Sequence, residues 1–304
     1  MDASSPAQGR TIALVAERRH LDNPTLVEVR QRLLDAGCAV PLIVPGADHL
    51  YDIPATPPPW DAVLSRGRDL AGLGVLAAAA ALGILAINSP ASIELVRNKI
   101  AMQAVLLSHG LPLPKTWFAA EPTVFRGVPS TAFPLVVKPF DGDGSRGLAL
   151  LTRPDDVDLL PSLSGRRSLY LAQEFLEADG WDLKLYGVGS DVWAVRKPSP
   201  VSFVGPGPAQ LRPTQGATLV PIDAELRDIA LTCGRACGLE LWGVDVAMTP
   251  SGPRVIEVND FPTYSAVPEA ASAIARHVLG KVELRALTRD VGRDAMLAIV
   301  REPW

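Results

Sequence analysis

The sequence predicts an α/β domain with a largely parallel sheet, followed by a longer α+β region. Three observations predict it. Up to about residue 90, short apolar strands alternate with helical patterns, as in layered α/β domains. From about residue 116 the pattern turns to strands separated by Gly/Pro turns, with few helices between them. The length of 304 residues suits two domains or three small ones, at roughly 100–200 residues each.

The elements follow in order. "TIALVAE" (11–17) is a buried strand. In "NPTLVEVRQRLLDAG" Leu26, Val29, Leu33 and Leu34 recur at helical spacing, and Gly37 ends the helix. "AVPLIV" is a second strand and "DAVLSRG" a third, after a Pro-rich loop from Pro54 to Pro59. Leu70 to Ile87 is uncharged for 18 residues, the length of a short membrane span. It is mostly alanine with Gly72, Gly74 and Gly83 inside, and divides into a helix and a short strand, "GILAIN", so no membrane association is expected. "SPASIELVRNKIAMQAVLLSHG" reads as one long connecting helix, opened by Ser89 and Pro90 and stopped by Gly110. The strands "FPLVVKPF", "GLALLT" and "SLYLAQEFL" come next, then the hairpin "WDLKLYGVG"/"VWAVRKP". Residues 198–216, rich in Pro and Gly, read as a surface loop. A helix, "DAELRDIALTCGRACG", leads into the strands "LWGVDVAMT" and "RVIEVND", and the segment from Pro268 is largely helical.

Composition narrows the function. A formal charge of −4 without any Lys/Arg-rich block excludes a nucleic-acid partner. Cys38, Cys233 and Cys237 are too few for a disulfide framework and point to a reducing, cytoplasmic setting. Cys233 and Cys237 share a helix face, where two small core residues are a simpler reading than a metal pair. The opening "MDASSPAQGR" lacks the basic and apolar regions of a secretory signal. His20, His49, His109 and His277 fall in unrelated segments and build no catalytic constellation.

Two segments carry chemistry. In "GVDVAMTPSGPRVIEVND", a hairpin symmetric about Ser251 sets Asp245 opposite Glu257, with Asn259 on the same face. Two carboxylates and an amide oxygen are hard donors that suit Mg²⁺; the alternative is a solvated polar edge. The same alternation assigns Ile256 and Val258 to the core. In "LVVKPFDGDGSRGLALL" three glycines spell G-x-G-x-x-G, but a strand follows rather than the helix a dinucleotide fingerprint requires. The loop is either a flap over nucleotide phosphates or an ordinary flexible hairpin. Lys138, in an otherwise apolar strand, favours the flap, because a phosphate would pair its charge. Lys99 is either a second phosphate cation or a solvated helix lysine. The strand end "QEFLEA" offers backbone and acidic side chains to a nucleoside.

The order of Lys99, the Lys138–glycine loop, "QEFL", Asp245 and Glu257-x-Asn259 resembles the ATP-grasp superfamily from the first strand to about residue 270. The resemblance implies an N-terminal α/β domain (1–90), a linker helix with a central lobe (91–172), and a C-terminal lobe with the metal hairpin (173–304), the two lobes sandwiching ATP. It implies that Lys99 and Lys138 contact phosphates beneath the loop Gly142, Gly144, Ser145, Arg146 and Gly147. Glu174, Phe175 and Leu176 would hold adenine and Glu177 the ribose. Asp245, Glu257 and Asn259 would bind two Mg²⁺ ions, a role open to Mn²⁺.

Two branches of the superfamily compete. Carboxylate–amine ligases, such as those extending ribosomal protein or lysine precursors with glutamate, join a small-molecule or peptide acid to an amine through an acyl phosphate. Inositol-phosphate kinases share "RKPSPVSF" and "NDFPTYSAVPE" in part. The glycine loop has no His between Lys138 and Leu151, and the metal strand carries Glu257 where those kinases have Asp, so the ligase is favoured. Where the ligases have Asp-x-Arg this chain has Asp182-Leu183-Lys184, and where they have an Asn-rich stretch ending Gly-Gly it has "LRPTQG" with Arg212. Arg196 and Lys197 are candidates for the transferred phosphate, with a solvated strand end as the alternative. Arg18, Arg19 and Arg66, at carboxyl ends of strands, are candidate substrate contacts. The resemblance leaves a homo-oligomer open.

Overall fold

The computed structural model describes residues 9–46, 57–67, 69–140, 147–160, 169–178, 180–199, 201–203, 205–211 and 216–300, with backbone alone at 211 and 289–300. The chain divides into two compact units: Met1–Ala91, Val188–Asp191 and Val267–Trp304 form one, Ser92–Gly187 and Val192–Ala266 the other.

The first unit begins with β1 (Ile12–Ala16), α1 (Pro24–Asp35), β2 (Leu42–Ile43), β3 (Ala62–Arg66), α2 (Leu70–Ala81) and β4 (Leu85–Ile87). Its sheet has the order β2-β1-β3-β4 and every pairing is parallel, as expected. β1 and β3 are buried along their whole length, which is why they read as unbroken apolar runs. Asn23 and Asp69 cap α1 and α2 through their side-chain oxygens. Gly83, at φ +78°, turns the alanine helix into β4, so the membrane-like run is a helix and a strand. Among the described residues no helix is long and apolar enough to cross a membrane.

The second unit starts within α3 (Pro90–Arg97), at Ser92, and continues with α4 (Lys99–Ser108). The expected single long helix is two. Asn98 breaks it and caps α4, its Oδ1 accepting the Ala101 amide at 3.1 Å. An Asn competes with helical hydrogen bonding through its own side chain, so it begins a helix more readily than it continues one.

The second unit goes on with β5 (Thr116–Ala119), β6 (Leu135–Pro139), β7 (Ala149–Leu151) and β8 (Tyr170–Glu174). After the hairpin β9 (Trp181–Val188) and β10 (Asp191–Pro198), the chain makes an excursion through β11 (Val201–Ser202), β12 (Gly207–Pro208) and β13 (Gln210–Leu211). It returns through β14 (Thr218–Val220), α5 (Ala224–Ala236), β15 (Leu241–Thr249) and β16 (Gly252–Asp260). The helix α6 (Ala270–Val300) packs on α1 in the first unit.

Two five-stranded sheets result, ordered β12-β7-β6-β8-β5 and β14-β10-β9-β15-β16. The stretch read as a surface loop is therefore partly strand: β11 pairs β13, and Gly207 and Pro208 lie across from Leu150 and Ala149 of β7. Trp242 anchors the second sheet. Its Nε1 donates to the Ala230 carbonyl at 3.0 Å, and its ring fills the space where a Cβ on Gly187 or Gly234 would stand, at 2.1 and 2.7 Å. Cys233 and Cys237 are buried, free thiols in the core beside it, held well above the ordinary thiol range by burial.

Candidate active site

One helix and one strand edge set the site. On α4, Lys99, Met102, Gln103 and Leu106 are buried, a stripe at helical spacing. That stripe runs along the outer edge of β16. Met102 Sδ accepts the Val258 amide at 3.4 Å, and Lys99 Nζ reaches Glu257 Oε1 at 2.5 Å. The break at Asn98 places Lys99 at the first position of α4, and its side chain is only 8% exposed.

The metal hairpin departs from the expected symmetry in an informative way. Thr249 pairs with Gly252, so the turn is the two residues Pro250 and Ser251 rather than one centred on Ser251. A regular ladder from that turn would set Asp245 across from Ile256. A bulge between Asp245 and Val246 takes up Ile256 as an extra residue, and Asp245 faces Glu257 after all. The bulge also explains the core. Val255 and Val258, three apart, are both buried, whereas Ile256 lines the cleft beside Glu257. The assignment of Ile256 to the core is thus corrected. Asn259 lies across from Gly243, two residues from Glu257 on the same strand, but is not among the cleft-lining residues.

The cleft has a volume of about 390 Å³. One part is charged, with Lys99, Lys138, Asp182, Asp245 and Glu257 in its lining. Lys184 Nζ is ion-paired with Asp245 Oδ1. The rest is largely apolar, walled by Val136, Leu148, Phe175, Leu176, Phe203 and Ile256. Phe203, brought in by the excursion, meets Phe175 edge-on with ring centroids 6.1 Å apart. Gln173 is buried in the wall; its Nε2 donates to Thr116 Oγ1 at 3.1 Å, and Thr116 donates onward to Gln103 Oε1 at 3.4 Å.

Electrostatics follow from this crowding. Burial pushes Lys138 down to about 8; Glu257 and Asp245 oppose the shift and Lys99 reinforces it. Burial also lowers Lys197, with Lys184 adding to it, and raises the Asp182 carboxyl against the pull of Ser199 and Lys197. For Lys184 burial is outweighed by Asp245, which raises the ammonium above its ordinary range.

The remaining candidates lie as follows. Glu174 is exposed at the end of β8; its amide donates to the Lys115 carbonyl at 2.9 Å and the Phe175 amide to Pro134 at 3.0 Å. Leu176 lines the cleft, and Glu177 is exposed outside its lining. Arg196 is exposed, its guanidinium 4.4 Å over the ring of Trp181, and Lys197 is the next residue on β10. Gly147 sits at φ +72°, while Gly142, Gly144, Ser145, Arg146 and Arg212 lie outside the described residues. In the first unit, Arg18 and Arg19 are exposed after β1 and Arg66 is buried at the end of β3. Glu17 ties these ends together, pairing with Arg19, accepting the Asp69 amide at 3.0 Å and donating its own amide to the Arg66 carbonyl at 3.1 Å.

Sequence reasoning missed Trp181, Phe203 and the cleft position of Ile256, and gave Gln173, the first residue of "QEFL", no role of its own. Trp181 and Phe203 were legible as aromatics beside Gly- or Pro-containing turns.

The chain can donate several cations to an anionic ligand and two facing carboxylates to a hard metal. A family model described as the RimK-like ATP-grasp domain matches residues 96–279. A protein of Shewanella sp. (strain MR-4), described as a probable alpha-L-glutamate ligase 2, is 30% identical over 238 residues, covering 76% of this chain and 79% of its own. The RimK domain ATP-grasp protein of Sphaerobacter thermophilus DSM 20745 superposes with a TM-score of 0.68 at 21% identity, over 88% of this chain and 98% of its own. A D-cycloserine synthetase superposes with a TM-score of 0.71 at 18% identity, over 90% and 99%. The chain belongs to the RimK-like ATP-grasp family and is an ATP-dependent ligase that joins a carboxylate to an amine.

Proposed function

We propose that the cleft binds ATP with its phosphates against Lys99 and Lys138 and its base among Val136, Leu148, Phe175 and Ile256. The observation that supports this is the convergence of those lysines with Asp245 and Glu257 in the charged part of a cleft whose other walls are largely apolar. Gln173, Glu174 and the Leu176 backbone, all in the cleft lining, are suited to read the base edge, and Glu177 would meet the ribose. The glycine loop from Gly142 to Gly147 would cover the phosphates.

Asp245, Glu257 and Asn259 would hold two Mg²⁺ ions, or Mn²⁺ in their place. The fit rests on chemistry: all three offer hard oxygens, and both carboxylates already attract cations, Lys184 and Lys99. Metal bound there neutralises charge on the transferring phosphoryl group.

In the reaction, a substrate carboxylate oxygen attacks the γ-phosphorus and ADP leaves. The amine nitrogen then attacks the acyl carbon, phosphate departs, and the nitrogen loses a proton. Lys138 and Lys99 bind and orient the phosphates. Lys197, which feels the charges of Lys184, Asp182 and Asp245, and Arg196, stacked on Trp181, are the candidates to meet the transferred phosphate. Asp182 and Arg212 are candidate contacts to the acid and amine, as are, in the first unit, Arg18, Arg19 and Arg66; Lys184, paired with Asp245, would turn to the phosphates when they arrive. The relatives' description makes L-glutamate the first substrate to try.

The test is ADP release from purified protein with L-glutamate and a panel of acids and peptides. The reading predicts release only with acid and amine together, and capture of the acyl phosphate by hydroxylamine. ADP formation with a polyol phosphate and no amine would overturn it in favour of a kinase.

A further inference from the structure

Both carboxylates assigned to metal are engaged by lysines. Lys99 Nζ meets Glu257 Oε1 at 2.5 Å, and Lys184 Nζ pairs with Asp245 Oδ1. All four side chains are at most 27% exposed, so the pairs are only weakly screened. A carboxylate bound to an ammonium offers a divalent cation less than a carboxylate in water does, because the ion pair must open first. Breaking a partly buried pair leaves both members unpaired unless new partners arrive together.

A nucleotide supplies those partners. Its phosphates can take the ammonium groups while the metal takes the carboxylates, so each lysine and each carboxylate exchanges one counter-ion for another. We propose that Lys99 and Lys184 are latches on Glu257 and Asp245, which keep the nucleotide-free site closed to divalent metal and admit it with the nucleotide. This rests on the metal assignment above and adds a coupling between two ligands. By linkage, metal must strengthen nucleotide binding by the same factor.

Lys184 suits the part. An ammonium on a flexible stem gives a single point of attachment, whereas a guanidinium would grip the carboxylate with two parallel bonds and release it less readily.

The experiment is an Mn²⁺ titration of nucleotide-free protein, followed by the loss of the free-ion electron paramagnetic resonance signal. Lys184→Met and Lys99→Met, each checked for fold by circular dichroism, should bind Mn²⁺ about tenfold more tightly than the wild type. Lys184→Arg, which keeps the charge and should fold if Met does not, should bind it no more tightly than the wild type. Unchanged Mn²⁺ affinity in both Met variants would overturn the latch. The metal assignment is tested separately by Asp245→Asn with a non-hydrolysable ATP analogue. If that variant keeps wild-type Mn²⁺ binding in the ternary complex, the assignment fails and the latch with it. If it loses binding while the Met variants behave as the wild type, the assignment stands and the latch alone is wrong.

Discussion

Asp245 lies directly across from Glu257, although the two-residue turn joining their strands would, in a regular ladder, set it across from Ile256. The bulge that absorbs Ile256 keeps Val255 and Val258 in the core and both carboxylates in the cleft.

Ile256 and Val255, neighbours in sequence, should therefore respond differently. Ile256→Ala removes cleft wall and should weaken ATP binding about fivefold, the equivalent of roughly 1 kcal/mol of lost apolar contact, with little change in melting temperature. Val255→Ala should cost ~2 kcal/mol of stability and leave ATP affinity close to the wild type. Calorimetry and thermal denaturation of the pair check both halves. Equal effects on affinity would contradict the bulge assignment.

The depressed Lys138 ammonium gives a pH signature. Phosphate binding needs the charged form, so ATP affinity should decline as pH rises through about 8, and Lys138→Met should remove that decline along with most of the affinity. The stability sign runs the other way. The folded value lies below the unfolded 10.5, so the folded state disfavours the proton, and stability without nucleotide should rise from about pH 8 toward 10.5. Lys138→Met should accordingly raise the melting temperature at pH 7. Denaturation with and without ATP across that range distinguishes the two effects.

Asn259→Leu should abolish metal-dependent ADP release while leaving the circular dichroism spectrum unchanged, since Asn259 is half-buried rather than in the core. Full turnover in that variant would remove Asn259 from the metal set.

Asn98→Ala should act at a distance of one residue. The cap is worth ~1 kcal/mol of helix stability, and its loss frees the first turn of α4 that carries Lys99. A several-fold rise in the KM for ATP is expected with a modest fall in melting temperature. A change in stability alone would mean that Lys99 is held by Glu257 without help from the cap.

Tyr264→Phe tests the tail of the metal strand. Phe261 and Tyr264 are buried at positive φ, and Tyr264 Oη donates to the Gly187 carbonyl at 2.8 Å. The variant should lose about 1 kcal/mol of stability and retain its activity. If kcat falls instead, the tail has a role beyond packing.

Much of this was legible in the sequence because alternation and spacing are local properties. The parallel sheet, the division of Leu70 to Ile87 and the opposition of Asp245 to Glu257 follow from patterns a few residues long. The opposition emerged correctly from a wrong turn, since a bulge and a turn shifted by half a residue cancel in the register. What escaped depends on distant partners. The fate of Ile256 is set by the ladder to β15, and the strand at Gly207–Pro208 exists only because β7 offers it an edge. The segment "NDFPTY", which supplied the kinase alternative, serves packing here: the Tyr264 ring lies 5.3 Å from that of Tyr186, and its hydroxyl fastens the strand end to β9.

The short strand Gly207–Pro208 has a practical consequence for anyone re-engineering the 198–216 segment. Without it, β7 would be the outermost strand of its sheet, with a row of unsatisfied backbone groups open to another chain. A proline there, with no amide to donate, ends the hydrogen bonding that could otherwise propagate outward. Loop grafts that trade this segment for a shorter one risk turning a monodisperse preparation into one that self-associates, whatever they do to substrate choice. Retaining Gly207 and Pro208 while varying the residues on either side is the safer library.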